Sequence, residues 1–319
     1  MEEALGFIVC ENLVKIYKIE DIEVVALQGL DLRIRRGELM AIIGPSGSGK
    51  SSLLNVLGGL DAPSAGKALV AGRDLTKMTA VERLRYRRTM VGFVWQNIGR
   101  NLIPYLSAVE NVEMPMILAG TFDRRRAHRL LELVGLGHRK HHQPRHMSGG
   151  EQQRVAIAIA LANEPPVLLA DEPTGSLDTE NTANILKVFD AVRTELGVTV
   201  VIVTHDRSLA RSVDRYVAIH DGKTSTESVR RAEGRAASPE GSAAAAFSAG
   251  YDTAEEESHE HYTLLDTAGR LQLPADMIAA YGIKGRVRLV DEGGRIVILP
   301  PEGPGADPEG APPVSQEDE

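Results

Sequence analysis

The chain has 319 residues, 44 of them acidic and 36 basic, with 43% hydrophobic and 4% aromatic content and a single cysteine. The apolar share excludes a globally disordered chain, and the lone Cys10 excludes an intrachain disulfide, which favours a reducing compartment. The net charge of −8 is unevenly spread: residues 1–225 carry 28 basic and 26 acidic side chains, and residues 226–319 carry 8 and 18, so the acidity belongs to an appendage and the chain as a whole does not read as a nucleic-acid binder.

The N-terminus shows no basic-then-apolar signal, and no apolar run reaches the ~18 residues of a membrane helix. The expectation is a chain with neither a secretory signal nor a span. Phe7 to Ile34 alternates in polarity and predicts antiparallel β structure. Short apolar runs at 39–43, 91–95, 167–170 and 198–203 predict strands buried on both faces. Helical periodicity falls between them at about 50–58, 107–118, 123–134, 149–163, 179–195 and 206–212. Alternation of this kind predicts an α/β domain with a largely parallel sheet over residues 1–225. Residues 226–260, rich in Ala, Ser, Gly and charge, predict a flexible linker. Residues 261–300 predict a small β-rich domain, and 301–319, with six acids and no base, an acidic disordered tail.

Gly44-Pro45-Ser46-Gly47-Ser48-Gly49-Lys50-Ser51 fits the phosphate-binding loop G-x-x-x-x-G-K-[ST], between an apolar strand and a helix that continues with Ser52. Backbone N–H groups of such a loop turn toward phosphates, the helix N-terminus adds positive potential, Lys50 reaches the β/γ-phosphates and Ser51 can ligate Mg²⁺. The run Val167-Leu-Leu-Ala-Asp171-Glu172 ends an apolar strand in two carboxylates. By itself the pair could be a helix cap. After a phosphate loop it reads as a Mg²⁺ partner (Asp171) followed by a group that polarises the attacking water (Glu172). Met147-Ser148-Gly149-Gly150-Glu151-Gln152 precedes a long helix, Val94-Trp95-Gln96 follows a strand, Ser176-Leu177-Asp178 follows the carboxylates, and His205 follows the last apolar run.

This ordered series resembles the nucleotide-binding subunit of ABC ATPases over roughly residues 5–225. The fold it implies is a P-loop NTPase domain with an N-terminal antiparallel β subdomain and a helical subdomain. The resemblance further implies a head-to-tail homodimer with two ATP molecules between the subunits. Gly44 to Ser52 of one subunit would hold the phosphates, and Ser148, Gly149 and Gly150 of the other would cap the γ-phosphate. Glu172 would be the general base, with Gln96 near Mg²⁺ and the water. His205 would contact the γ-phosphate, and Asp178 would link the two sites. Tyr17 stands where the family carries an adenine-stacking aromatic, though it reads equally as a packed strand residue. Met147 replaces the usual Leu, and Ile159 stands where the family often has Arg.

The stretch Gly92–Gln96, Asn101–Pro104 and Glu110–Pro115 resembles the subfamily of macrolide exporters, lipoprotein-release complexes and a cell-division ATPase. The permeases of that group have few membrane helices and a large extracytoplasmic domain. Such a role needs a separate permease and places the ATPase at the cytoplasmic face of the membrane. Residues 97–118 are the candidate docking groove, with ordinary core as the other reading. Asp266 to Val290 resembles a swapped-hairpin module of the AbrB/SpoVT type. Between Tyr262 and Pro300 five basic residues stand against Asp266, Asp276, Asp291 and Glu292, and Arg286 replaces an acidic residue of that family, so dimerisation or regulation is favoured over DNA binding. A soluble ATP-dependent regulator that binds DNA through this module stays the alternative function.

Overall fold

The computed structural model describes residues 6–20, 22–175, 177–210, 212–230, 259–266, 269–273, 275–283 and 287–300. Strands β1 (Ile8–Ile19) and β2 (Ile22–Ile34) pair antiparallel, β3 (Leu39–Ile43) runs into helix α1 (Lys50–Leu57), and β4 (Ala65–Val70) and β5 (Arg73–Asp74) complete a four-stranded sheet of order β2-β1-β4-β5. This is the expected antiparallel β subdomain. Helix α2 (Ala80–Thr89) then leads to β6 (Val91–Val94), followed by α3 (Ala108–Ala119), α4 (Arg124–Leu133), α5 (Gly149–Ala160), β7 (Val167–Asp171), α6 (Thr179–Leu196), β8 (Thr199–Thr204), the single turn α7 (Arg207–Ala210), β9 (Arg215–His220) and β10 (Lys223–Arg230).

The central sheet has order β11-β10-β9-β3-β8-β7-β6, where β11 is His259–Thr263. Its five strands from β9 to β6 are parallel. Because side chains alternate across a strand, β3 divides between two cores. Leu39, Ala41 and Ile43 face the core under α3, α4, α5 and α6, while Met40 and Ile42 face the one shared with α1 and the antiparallel sheet. Burial on both faces is why these strands read as continuous apolar runs.

Helix α2 had no counterpart among the predicted elements. It buries only Tyr86, whose hydroxyl donates to the Leu57 carbonyl at 2.6 Å, so it has almost no apolar stripe to recognise. Its legible signal is the capping box Thr79-x-x-Glu82, present in full.

The expected boundary at residue 225 does not hold, since β10 runs on to Arg230. The expected linker at 226–260 and module start at 261 shift with it. β11 pairs with β10 from Arg230↔His259 to Thr226↔Thr263 and so belongs to the central sheet. The physical reason is that β10 is a polar strand whose polar atoms are satisfied. Ser225 Oγ donates to the Ala218 carbonyl (3.2 Å), Ser228 Oγ lies 2.6 Å from His261 Nδ1, and Glu227 pairs with the Arg215 guanidinium, which also holds Glu38. The remainder of the linker, 231–258, and the tail, 301–319, lie outside the described residues.

Contacts divide the chain into two units, the first comprising 1–236 with 253–272, the second 237–252 with 273–319. Within the second lie α8 (Ala275–Ala280) and an antiparallel hairpin of β12 (Arg288–Asp291) and β13 (Ile296–Leu299).

Candidate functional site

The phosphate loop joins the C-terminal end of β3 to α1. Gly49 is the N-cap of α1 at φ +98°, and a Cβ there would sit 2.4 Å from the Ala26 carbonyl, so only glycine fits. Gly222, in the turn between β9 and β10, donates its N–H to the Ser48 carbonyl at 3.0 Å and braces the loop from behind. The Lys50 ammonium donates to the carbonyls of Gly44 and Pro45, both at 2.8 Å. Burial lowers the Lys50 pKa, opposed by the nearby Glu172 and Asp171 carboxylates. The buried Ser48 hydroxyl has no hydrogen-bond partner. An unsatisfied buried donor and an ammonium that bonds only its own loop are what a phosphate chain would satisfy.

Strands β7 and β8 deliver the remaining groups beside it. Ser51 Oγ donates to Asp171 Oδ1 across 3.4 Å. Burial pushes the Asp171 carboxyl pKa up, the Ser51 hydroxyl opposes this, and the Glu172 charge adds to it. A half-buried carboxylate beside a hydroxyl of α1 suits a hard divalent cation with oxygen ligands, and Ser51 and Asp171 fit Mg²⁺ on that ground. Glu172 has φ +46°, an uncommon conformation for a branchless but bulky side chain, and is held there by its N–H bond to the Val203 carbonyl at 2.9 Å. Its Oε1 lies 2.8 Å from His205 Nδ1, and its Oε2 accepts from Thr204 Oγ1 at 3.3 Å. Thr204 was not anticipated. Its side chain is buried at the end of β8 and also accepts the Asp206 N–H at 3.0 Å. The only sequence sign was its place directly before His205.

Gln96 is exposed just past β6, with its amide nitrogen near Gly175, whose N–H donates to the Glu172 carbonyl at 3.2 Å. Tyr17 on β1 is half-buried. Its hydroxyl donates to Asp61 Oδ2 at 2.8 Å, and Lys15 Nζ stands 4.6 Å from the ring centre. Burial raises the Tyr17 pKa, with Ser52 and Asn55 of α1 close enough to oppose it. The ring is thus beside the phosphate-loop helix.

Ser148, Gly149, Gly150 and Asp178 form a second cluster with their own partners. Ser148 caps α5 in a full capping box with Glu151, and Arg139 Nε donates to the other Glu151 oxygen at 3.1 Å. Burial of Glu151 is outweighed by bonds from the Ser148 N–H and Arg139, which hold its pKa below the usual range. Asp178 caps α6. Ser176 lies outside the described residues.

The ABC transporter family profile matches residues 27–175. A lipoprotein-releasing system ATP-binding protein of Caulobacter vibrioides is 50% identical over 214 residues, covering 66% of this chain and 93% of that protein. The chain belongs to the ABC transporter ATP-binding family. A macrolide export ATP-binding/permease protein of Syntrophobacter fumaroxidans is 43% identical over 229 residues, which are 70% of this chain but only 32% of that longer protein. Among solved structures, a dimeric ATP-binding cassette in a post-hydrolysis state bound to ADP and Pi superposes with a TM-score of 0.63 at 39% identity, covering 70% of this chain and 99% of that one. The chain is therefore an ABC ATPase subunit, related to the lipoprotein-release and macrolide-export ATPases. The DNA-binding alternative finds no support among these relatives. No helix among the described residues is long and apolar enough to cross a membrane.

Proposed function

We propose that this ABC ATPase closes as a homodimer around two ATP molecules and uses that closure to drive a separate integral-membrane permease of the macrolide-exporter and lipoprotein-release type. It would work at the cytoplasmic face, held there by the permease. The observation that carries the reading is the Glu172–His205 pair, 2.8 Å apart at the ends of β7 and β8, beside a phosphate loop whose Ser48 hydroxyl is buried and unsatisfied.

In this reading the backbone N–H groups of Gly44 to Ser51 and the Lys50 ammonium hold the phosphates. Ser46, exposed on the loop, and Ser52, in the first turn of α1, flank that cradle. Ser51, Asp171 and Gln96 would hold Mg²⁺, which would supply charge neutralisation to the phosphates. Glu172 takes a proton from the attacking water at one oxygen while Thr204 and His205 fix the carboxylate's orientation. His205, 65% exposed at its side chain, is free to reach the γ-phosphate. Ser148 and Gly150 present the N-terminus of α5 to the partner's γ-phosphate, where the helix dipole favours negative charge. Tyr17 stacks on adenine. Hydrolysis then rests on positioning and electrostatics, with no covalent intermediate.

Within 97–118, Leu102, Val109, Val112 and Met116 are core, while Tyr105, Ile117 and Leu118 are exposed, and these last are the side chains we assign to permease docking. The C-terminal unit leaves Tyr281, Leu289 and Ile296 exposed, which supports an intertwined pairing of two hairpins, since a lone hairpin cannot bury its own face. Copurification tests the reading: the tagged E172Q protein, with ATP present, should retain a membrane protein with a large extracytoplasmic domain. Recovery of the closed dimer with no membrane component would refute the permease.

A further inference from the structure

Asp178 Oδ1 accepts the Asn181 N–H at 2.8 Å, an ordinary cap for the 18-residue α6. The Asn181 side chain adds a second connection. Its Nδ2 lies 3.0 Å from both oxygens of the Asp178 carboxylate. The opposite end of the same amide, Oδ1, is pressed against α5: a Cβ on Gly150 would come within 2.5 Å of it, so only the glycine hydrogen fits. Leu177 closes the contact from the other side, its Cδ2 lying 3.5 Å from where a Cβ of Gly149 would be. The amide cannot turn over. Reversal would aim its carbonyl oxygen at the Asp178 carboxylate and forfeit both donated bonds. Asparagine is also a mediocre helix former for the first turn of α6, so propensity gives no reason for it.

We propose that Asn181 is a positioning residue that makes the Asp178 loop and the N-terminus of α5 one rigid unit, so that the two ATP sites of the dimer fire in concert. The inference rests on the reading that Gly150 faces the partner's γ-phosphate and that Asp178 borders the other site. Through Asn181, displacement of α5 on ATP binding at one site moves Asp178 at the other. Two facing elements with a polar wedge between them are a minimal coupling device.

The test is steady-state turnover against ATP concentration for full-length wild type, N181A, N181D, D178A and the N181A/D178A double variant. Thermal melting and Mg²⁺-free binding of a fluorescent ATP analogue are measured on each. N181A should lose about tenfold in kcat, the scale of one charge-assisted interaction, and its sigmoidal ATP dependence should become hyperbolic. Analogue affinity and melting should stay at wild-type values, because the phosphate loop is untouched. N181D, which keeps the size but faces Asp178 with like charge, should be at least as impaired. The double variant should match D178A alone. Wild-type turnover and sigmoidicity in N181A would overturn the proposal. So would a double variant worse than D178A, or a loss confined to melting temperature, which marks a purely structural cap. A D178A protein indistinguishable from wild type, or a hyperbolic wild type, would instead refute the underlying reading of two linked sites.

Discussion

Glu172 and His205 meet at 2.8 Å although they follow different strands, because β7 and β8 are parallel neighbours and end at the same edge of the sheet. Parallel pairing brings Asp171 beside Val203, so the residues that follow each strand meet by register. Replacing Glu172 with Gln keeps the hydrogen-bonding shape and removes the proposed base. E172Q should bind ATP at wild-type affinity, lose at least about 100-fold in kcat, and accumulate as a dimer in size-exclusion chromatography with ATP. Turnover within a few fold of wild type would exclude Glu172 as the base.

The cation site leads to a second expectation. EDTA should abolish turnover, and Ser51→Ala should raise the Mg²⁺ concentration for half-maximal rate about tenfold or more, by removal of the hydroxyl that donates to Asp171. A Mg²⁺ titration at saturating ATP reads this directly, and an unshifted midpoint would remove Ser51 from the ligand set.

The position of β11 sets where the chain can be cut. A protein ending at Gln272 should keep the melting temperature and ATP affinity of the ATPase unit and should self-associate more weakly if the C-terminal hairpins pair. A protein ending at 225 loses most of β10, together with the Glu227 partner of the buried Arg215. Breaking such a pair costs roughly 3 kcal/mol, and the melting temperature should fall by about 6–12 °C in differential scanning fluorimetry. Equal melting of the two truncations would show that the β10–β11 pair contributes nothing.

Cys10 is 1% exposed on β1, and burial, with Asp31 nearby, pushes its thiol pKa up to about 12. The neutral thiol is the favoured form at every working pH, so iodoacetamide at pH 8 should leave the folded protein unmodified and label it fully in guanidinium, as read by intact mass. Labelling of the native protein at the denatured rate would contradict the packing of β1.

The motifs were legible because each is local. A phosphate loop needs its glycines, lysine and serine within eight neighbouring residues, and the Asp171-Glu172 and Ser148-Gly149-Gly150 groups are continuous text. The buried strands were legible for a related reason, since burial on both faces imposes an unbroken apolar run that no distant residue can disguise. Met147, which stands where the resembled family usually has Leu, is a buried core residue.

Tertiary structure alone decided the rest. β10 is polar along its length and acquires strand character only from β9 on one side and from β11, returning after 28 intervening residues, on the other. Thr204 and Asn181 are common residues whose roles arise from what faces them, a carboxylate from the next strand and a glycine from another helix. The acidic appendage seen first in the charge count begins inside the ATPase sheet. Side-chain chemistry and periodicity are written along the chain, but hydrogen-bond partners far apart in sequence are chosen by the fold, and that choice set the domain boundary and assembled the partners of Glu172 and Asp178.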